Sequence, residues 1–245
     1  MAYPTLRQGS SGIHVVALQL RLNQHLGPAT VLACDGAFGP LTRAAVIEFQ
    51  RRRSLSPDGV VGPLTWSALE QGRTPLVIVD HGRTRVPQPT PTTCWAASTA
   101  VMVRRTVAQV RAATPAAMIA SDGGLLNGSG SAQGVTLGRA YGQIHGLNCH
   151  APMSWTSGGL IGLLRRSPLM IDMLWNSSEY ASGSGSPGHM VVVCAVVSDG
   201  NPNGGLTCLR VLDPWPPNVG KDSWVDYASW MRDVPTRTYR LFDLR

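Results

Sequence analysis

One eight-residue motif occurs twice near the start of the chain. Asp35-Gly36-Ala37-Phe38-Gly39-Pro40-Leu41-Thr42 returns after 23 residues as Asp58-Gly59-Val60-Val61-Gly62-Pro63-Leu64-Thr65, identical at six of eight positions. A repeat at fixed spacing means that one local structure is built twice. Asp-Gly favours a turn, the second glycine permits close backbone approach, and proline fits the first turn of a helix. Each copy therefore predicts a turn that launches a helix. After the first copy, Ala45, Val46 and Phe49 fall on one helical face and Arg43, Arg51, Arg52 and Arg53 fall outside it, while Val15, Leu18 and Leu22 mark an earlier helix. The pattern predicts a three-helix unit over residues 1–72. Asp35 and Asp58 resemble a carboxylate pair, but each lies in a turn motif that accounts for it.

Beyond this unit the chemistry concentrates around Cys94. The stretch Gln88-Pro89-Thr90-Pro91-Thr92-Thr93-Cys94-Trp95-Ala96-Ala97 places a glutamine six residues before a cysteine and a helix-like run after it. A helix starting at Cys94 aims its free N–H groups and the positive end of its dipole at the sulfur, which favours the thiolate. Gln88 is expected to supply a side-chain N–H beside the Cys94 backbone N–H, forming an oxyanion hole. Further on, Gly188-His189-Met190-Val191-Val192-Val193 puts a histidine at the mouth of an apolar run, and Val211-Leu212-Asp213-Pro214-Trp215 ends another on an acid. If strands over 190–197 and 206–213 pair antiparallel, one register sets His189 opposite Asp213 and Cys194 opposite Cys208. Alternation then turns the histidine and acid toward the cleft and the two cysteines away from it. A Cys194–Cys208 disulfide and two reduced core thiols are both open.

Two resemblances follow from these residues. Leu6-Arg7-Gln8-Gly9-Ser10-Ser11-Gly12, Leu18-Gln19 and the two Asp-Gly turns around Phe49-Gln50 closely resemble the peptidoglycan-binding domains of bacterial wall enzymes, over about residues 5–71. Gln88, Cys94-Trp95, Gly188-His189 and Asp213-Pro214-Trp215 resemble papain-like cysteine peptidases, particularly the compact bacterial branch that includes secreted effector proteases, over residues 76–245. The second resemblance implies Cys94 as nucleophile, His189 as general base and acid, Asp213 as orienter, Gln88 and Cys94 as oxyanion donors, and Trp95 and Trp215 in support. Trp215 corresponds to the tryptophan that shields the bond between histidine and its orienter. The sequence departs from the plant enzymes in having Asp for Asn as orienter and Thr before the nucleophile. His189 also follows Cys94 by only 95 residues.

The fold expected is α+β: a three-helix peptidoglycan-binding domain over 1–72, a linker or first strand over 73–86, and a papain-like domain over 87–245. In the last, the helix carrying Cys94 packs on an antiparallel sheet carrying His189 and Asp213. His145 and His150 are the alternative bases, and the Gly/Ser/Asn-rich stretches 122–134 and 176–188 read as cleft-side loops. Charge is distributed: six Arg against four acids give +2 up to Gly72, and fifteen basic against ten acidic residues give +5 after it. Anionic wall polymers suit this balance better than nucleic acid, because the one dense basic run, Arg51 to Arg53, reads as a solvated helix end. No Cys-x-x-Cys or His-x-x-x-His pair suggests zinc, and no cofactor is implied. The longest apolar run, 190–197, is too short for a membrane span, and the first residues lack a classical export signal.

The function expected is a bacterial thiol hydrolase directed to the wall, cutting peptide or amide bonds in peptidoglycan stems or proteins. It would be secreted or delivered to the periplasm or wall as an effector or toxin, with a secretion apparatus or an immunity protein as further partner. The alternatives are an effector protease that uses the first domain only as an address, and a wall-binding adaptor without catalysis.

Overall fold

The computed structural model describes residues 3–27, 31–126, 131–151, 156–174, 188–201, 203–233 and 238–245. Helices α1 (Ile13–Leu26), α2 (Pro40–Arg52) and α3 (Pro63–Glu70) form the first unit. Val15, Leu18, Leu22, Val46, Phe49, Trp66 and Leu69 fill its core. The repeat is reproduced atom for atom. The Gln19 side-chain amide donates to Asp35 Oδ1 (2.7 Å), Ala37 O (3.1 Å) and Thr42 Oγ1 (3.3 Å), and its Oε1 accepts from Gly36 N (3.1 Å). Gln50 does the same with Asp58 Oδ1 (2.9 Å), Val60 O (2.9 Å), Thr65 Oγ1 (3.3 Å) and Gly59 N (2.9 Å). Each glutamine, buried in the preceding helix, satisfies the backbone of one Asp-Gly turn. Gly36 and Gly59 sit at φ 72° and 75°, the left-handed region that the turn requires. Pro40 and Pro63 then start the helices where a missing N–H costs nothing.

The remainder is an antiparallel sheet covered by helices on both faces. Its strands are β1 (Val77–Asp80), β2 (Leu147–His150), β3 (Leu169–Leu174), β4 (Gly188–Ser198), β5 (Thr207–Asp213), β6 (Lys221–Asp226) and β7 (Thr238–Leu244). They run in the order β2-β7-β3-β4-β5-β6. The long strand β4 pairs with β3 over its first half and with β1 over its second. Segment 73–86 thus contributes a strand. Helices α4 (Cys94–Val103), α5 (Val107–Ala113) and α6 (Ser131–His145) lie over Met190, Val192 and Cys194. On the other face α7 (Ser157–Leu164) and α8 (Tyr227–Asp233) cover Val191, Val193 and Val196. Cover on both sides explains why β4 reads as an uninterrupted apolar run.

Three sequence expectations change. The β4–β5 ladder pairs Val193 with Val211 and then Ala195 with Arg210, so Cys194 is the extra residue of a bulge. The ladder beyond pairs Cys208 with Val197, not with Cys194. Cys194 lies under α4 and not on the opposite face, while Cys208 belongs to a separate cluster. The stretch 122–134 is not loop throughout, because α6 begins at Ser131; its residues 127–130, and 176–187 of the later Gly/Ser-rich stretch, lie outside the described residues.

Candidate active site

Cys94 is the first residue of α4 and is 8% exposed. Thr93 precedes it without a side-chain cap, so no capping side chain closes the end of the helix that faces the sulfur. The Thr93 hydroxyl instead bonds within its own loop, to Thr90 O at 3.1 Å and Thr90 Oγ1 at 3.0 Å. Ser98, one turn on, donates to Met190 O at 2.7 Å and so fixes the helix against β4, next to His189. Neighbours of Cys94 hold a second wall: Thr92 Oγ1 donates to Asp122 O (2.7 Å) and Trp95 Nε1 donates to Gly123 O (3.0 Å). Gly123 sits at φ 87°, and a side chain there would meet Thr92 Oγ1 at 3.3 Å. A small depression beside the thiol is lined by Thr92, Cys94, Trp95, Leu125, Asp172, Gly188 and Met190.

His189 enters from the start of β4, 6% exposed. Its Nε2–H donates to Asp213 Oδ1 at 2.7 Å, and the thiol of Cys94 is its other hydrogen-bond partner. The ladder ends by pairing Val192 with Leu212, so His189 meets Asp213 diagonally and not face to face. The same Oδ1 accepts from Trp215 N at 2.8 Å, which holds the carboxylate in place. Burial alone would lower the His189 pKa, but the bonds to Asp213 and Cys94 outweigh it and raise the pKa to about 9. Both partners thus favour the protonated ring, the form in which His189 holds the proton that Cys94 gives up.

Gln88 is fully buried, and its backbone joins the loop after Asp213: its N donates to Pro214 O (3.1 Å) and its O accepts from Asn218 N (2.8 Å). The side-chain Nε2 donates to Thr90 O (2.7 Å) and Pro91 O (2.9 Å), so both amide hydrogens brace the loop that leads to Cys94. Service to an oxyanion would require giving up one of these bonds. Trp95 is buried and packs edge-on against Tyr141, whereas Trp215 is 37% exposed.

The other histidines have separate surroundings. His145 bonds Thr114 Oγ1 through Nε2 (2.9 Å), and burial followed by the charge of Arg105 lowers its pKa to about 4. His150 lies on β2, with Nε2 3.4 Å from Asp243. Sequence reasoning passed over Asp172. It lines the depression and accepts from buried Arg240 Nε (2.9 Å) and Nη2 (2.8 Å) across the β3–β7 pair. The signal was available: an acid and an arginine, each in the middle of an apolar strand, call for partners. Among the described residues no group of His, Cys, Asp and Glu forms a metal site, and no helix is long and apolar enough to cross a membrane.

Comparison with known proteins fits both halves. A family profile for the peptidoglycan binding domain matches residues 11–69, and one for the papain-like cysteine protease AvrRpt2 matches residues 80–230. A protein of Kitasatospora aureofaciens is 48% identical over 80 residues, which are 30% of this chain and 64% of that one. The zinc D-Ala-D-Ala carboxypeptidase of Streptomyces albus G is 46% identical over 67 residues, 27% of this chain and 26% of the enzyme. The chain thus spans less than two thirds of the length of these curated relatives. Among solved structures, a Burkholderia AP3 phage endolysin is 42% identical, covering 29% of this chain and 26% of its own, with a TM-score of 0.27.

Proposed function

Because the chain belongs to the papain-like cysteine protease AvrRpt2 family and carries a peptidoglycan binding domain ahead of it, we propose that it is a cell-wall-directed thiol hydrolase cleaving peptide or amide bonds through an acyl-enzyme. The observation that carries this reading is the line from the Cys94 thiol through His189 to Asp213 at 2.7 Å, set at an uncapped helix start. His189 takes the Cys94 proton and the thiolate attacks the carbonyl carbon. The oxyanion is held by Cys94 N–H, with Gln88 joining by exchanging its Pro91 carbonyl for the oxyanion. The imidazolium gives its proton to the leaving amine as the tetrahedral carbon collapses to a thioester. Water, deprotonated by the neutral imidazole, then releases the acid. Asp213 keeps the ring oriented and its cation stabilised throughout.

Wall peptides are the preferred substrate, since a tethered enzyme works at a raised local concentration of what it is tethered to. The family's description as a protease supports a second reading, in which an envelope or target-cell protein is cut and the first domain serves as an address. Action outside the cytoplasm, in secreted or delivered form, fits either reading. A peptide-based electrophile that needs the acyl-enzyme chemistry tests the enzyme reading: stoichiometric labelling at Cys94, lost in His189→Ala, supports it. Labelling that ignores His189, or none at Cys94, removes it.

A further inference from the structure

The first unit is not merely strung ahead of the sheet. Helix α1 lays buried Val16, Ala17 and Leu20 against buried Val197 and Cys208, and Ile78, Leu206 and Trp224 close the seam. The first repeat turn enters the same seam: a side chain on Gly36 would meet Trp224 Cδ1 at 3.0 Å and Val16 Cγ2 at 3.3 Å. Cys34, two residues before that glycine and half-buried, packs on this cluster. Buried Cys208 belongs to the cluster that Cys34 packs against, and the neighbouring Cys34 thiol together with burial holds the Cys208 proton well beyond the ordinary thiol range. The bulge has meanwhile placed Cys194 in the core under α4.

We propose that Cys34 and Cys208 are a disulfide-forming pair that locks the peptidoglycan-binding unit onto the peptidase sheet when the protein meets a small-molecule disulfide oxidant. The half-exposed Cys34 thiolate attacks one sulfur of the oxidant and expels one small thiolate, leaving a mixed disulfide on Cys34. Cys208 gives up its proton, attacks the Cys34 sulfur and expels the second small thiolate. The two protein thiols lose two electrons and two protons, and the oxidant is reduced to two thiols. The crosslink would fix the wall-binding surface relative to Cys94, and would close a loop of about 174 residues in the unfolded chain. This inference is independent of the substrate and of catalysis.

The test uses the full chain carrying Cys94→Ala, so that the candidate nucleophile takes no part in exchange. The protein is equilibrated with oxidised glutathione, alkylated, and digested with trypsin without reductant. We expect a crosslinked pair of peptides 22–43 and 167–210, retained when Cys194→Ala is added and absent when Cys208→Ala is added. The oxidised protein should melt about 10 °C or more above the reduced one, reversibly. This comparison needs no substitution at either partner. Cys34 recovered only as alkylated thiol or glutathione adduct, or a crosslink that survives Cys208→Ala, would overturn the proposal.

Discussion

The first unit and the candidate active site hold their polar groups in opposite ways. In the unit, Gln19 and Gln50 each close one turn over partners no more than 23 residues away, and the two networks match bond for bond. At the site, Cys94, His189 and Asp213 come from three segments spread over about 120 residues, and each is held by a different neighbour: Ser98 to Met190, Trp215 N to Asp213, Gln88 to Pro214. The difference teaches where each half is vulnerable. A unit built from local, duplicated bonds loses stability when one bond set is removed, whereas a site built from distant segments loses chemistry while the fold stands.

The largest effect that can break this contrast is at the imidazole. His189→Ala should lower kcat on a small peptide by about 10³–10⁴ with little change in Tm, while His150→Ala stays within about twofold. A dead His150 variant beside an active His189 variant would move the site elsewhere. Next in size, Gln88→Ala should lower kcat by about 10²–10³, the usual loss for one oxyanion donor. If Gln88 only braces the loop, steady-state kinetics will show unchanged kcat and calorimetry a lower Tm.

In the first unit, Gln50→Ala strips partners from Asp58, Val60, Thr65 and Gly59. It should cost about 3 kcal/mol of stability by denaturant titration, with kcat on a soluble peptide changed by less than about twofold. A large fall in kcat would show that the seam transmits strain to the site. The smallest effect is a displacement on the pH axis. His189 is raised to about 9 from an ordinary 6.5, so its imidazolium, and the stability that it contributes, is fully present below about 6.5 and lost as pH rises through 9. Activity that needs this proton should fall on an alkaline limb near 9. Asp213→Asn removes the carboxylate charge and should draw that limb toward lower pH; a limb that stays put would deny Asp213 its role.

What the sequence could reveal divides along the same line. The three helices of the first unit were legible because each copy of the repeat carries its own turn, glycine and proline, and the chain pairs them over short distances. Cys94 at a helix start was legible from the residues on either side of it. The strands that became β4 and β5 were legible from their apolar runs, but their register was not. The ladder already runs two residues off the expected register at Val192–Leu212, the bulge at Cys194 shifts it by one more, and nothing in an unbroken apolar run marks either step. His189 still reaches Asp213, because a diagonal pair on neighbouring strands lies within reach of long side chains. The seam between α1 and the sheet was invisible for another reason: Val16, Ala17 and Leu20 lie on the face of α1 opposite its own core and read as ordinary helix residues until a second surface covers them.

The most direct test of the central account is release of soluble peptide-bearing fragments from purified sacculi by the full chain, measured against Cys94→Ala. The account predicts release that rises with time for the native chain and none for Cys94→Ala, with both proteins co-sedimenting equally with the sacculi. Equal release by both, or release without sedimentation of either, would contradict it.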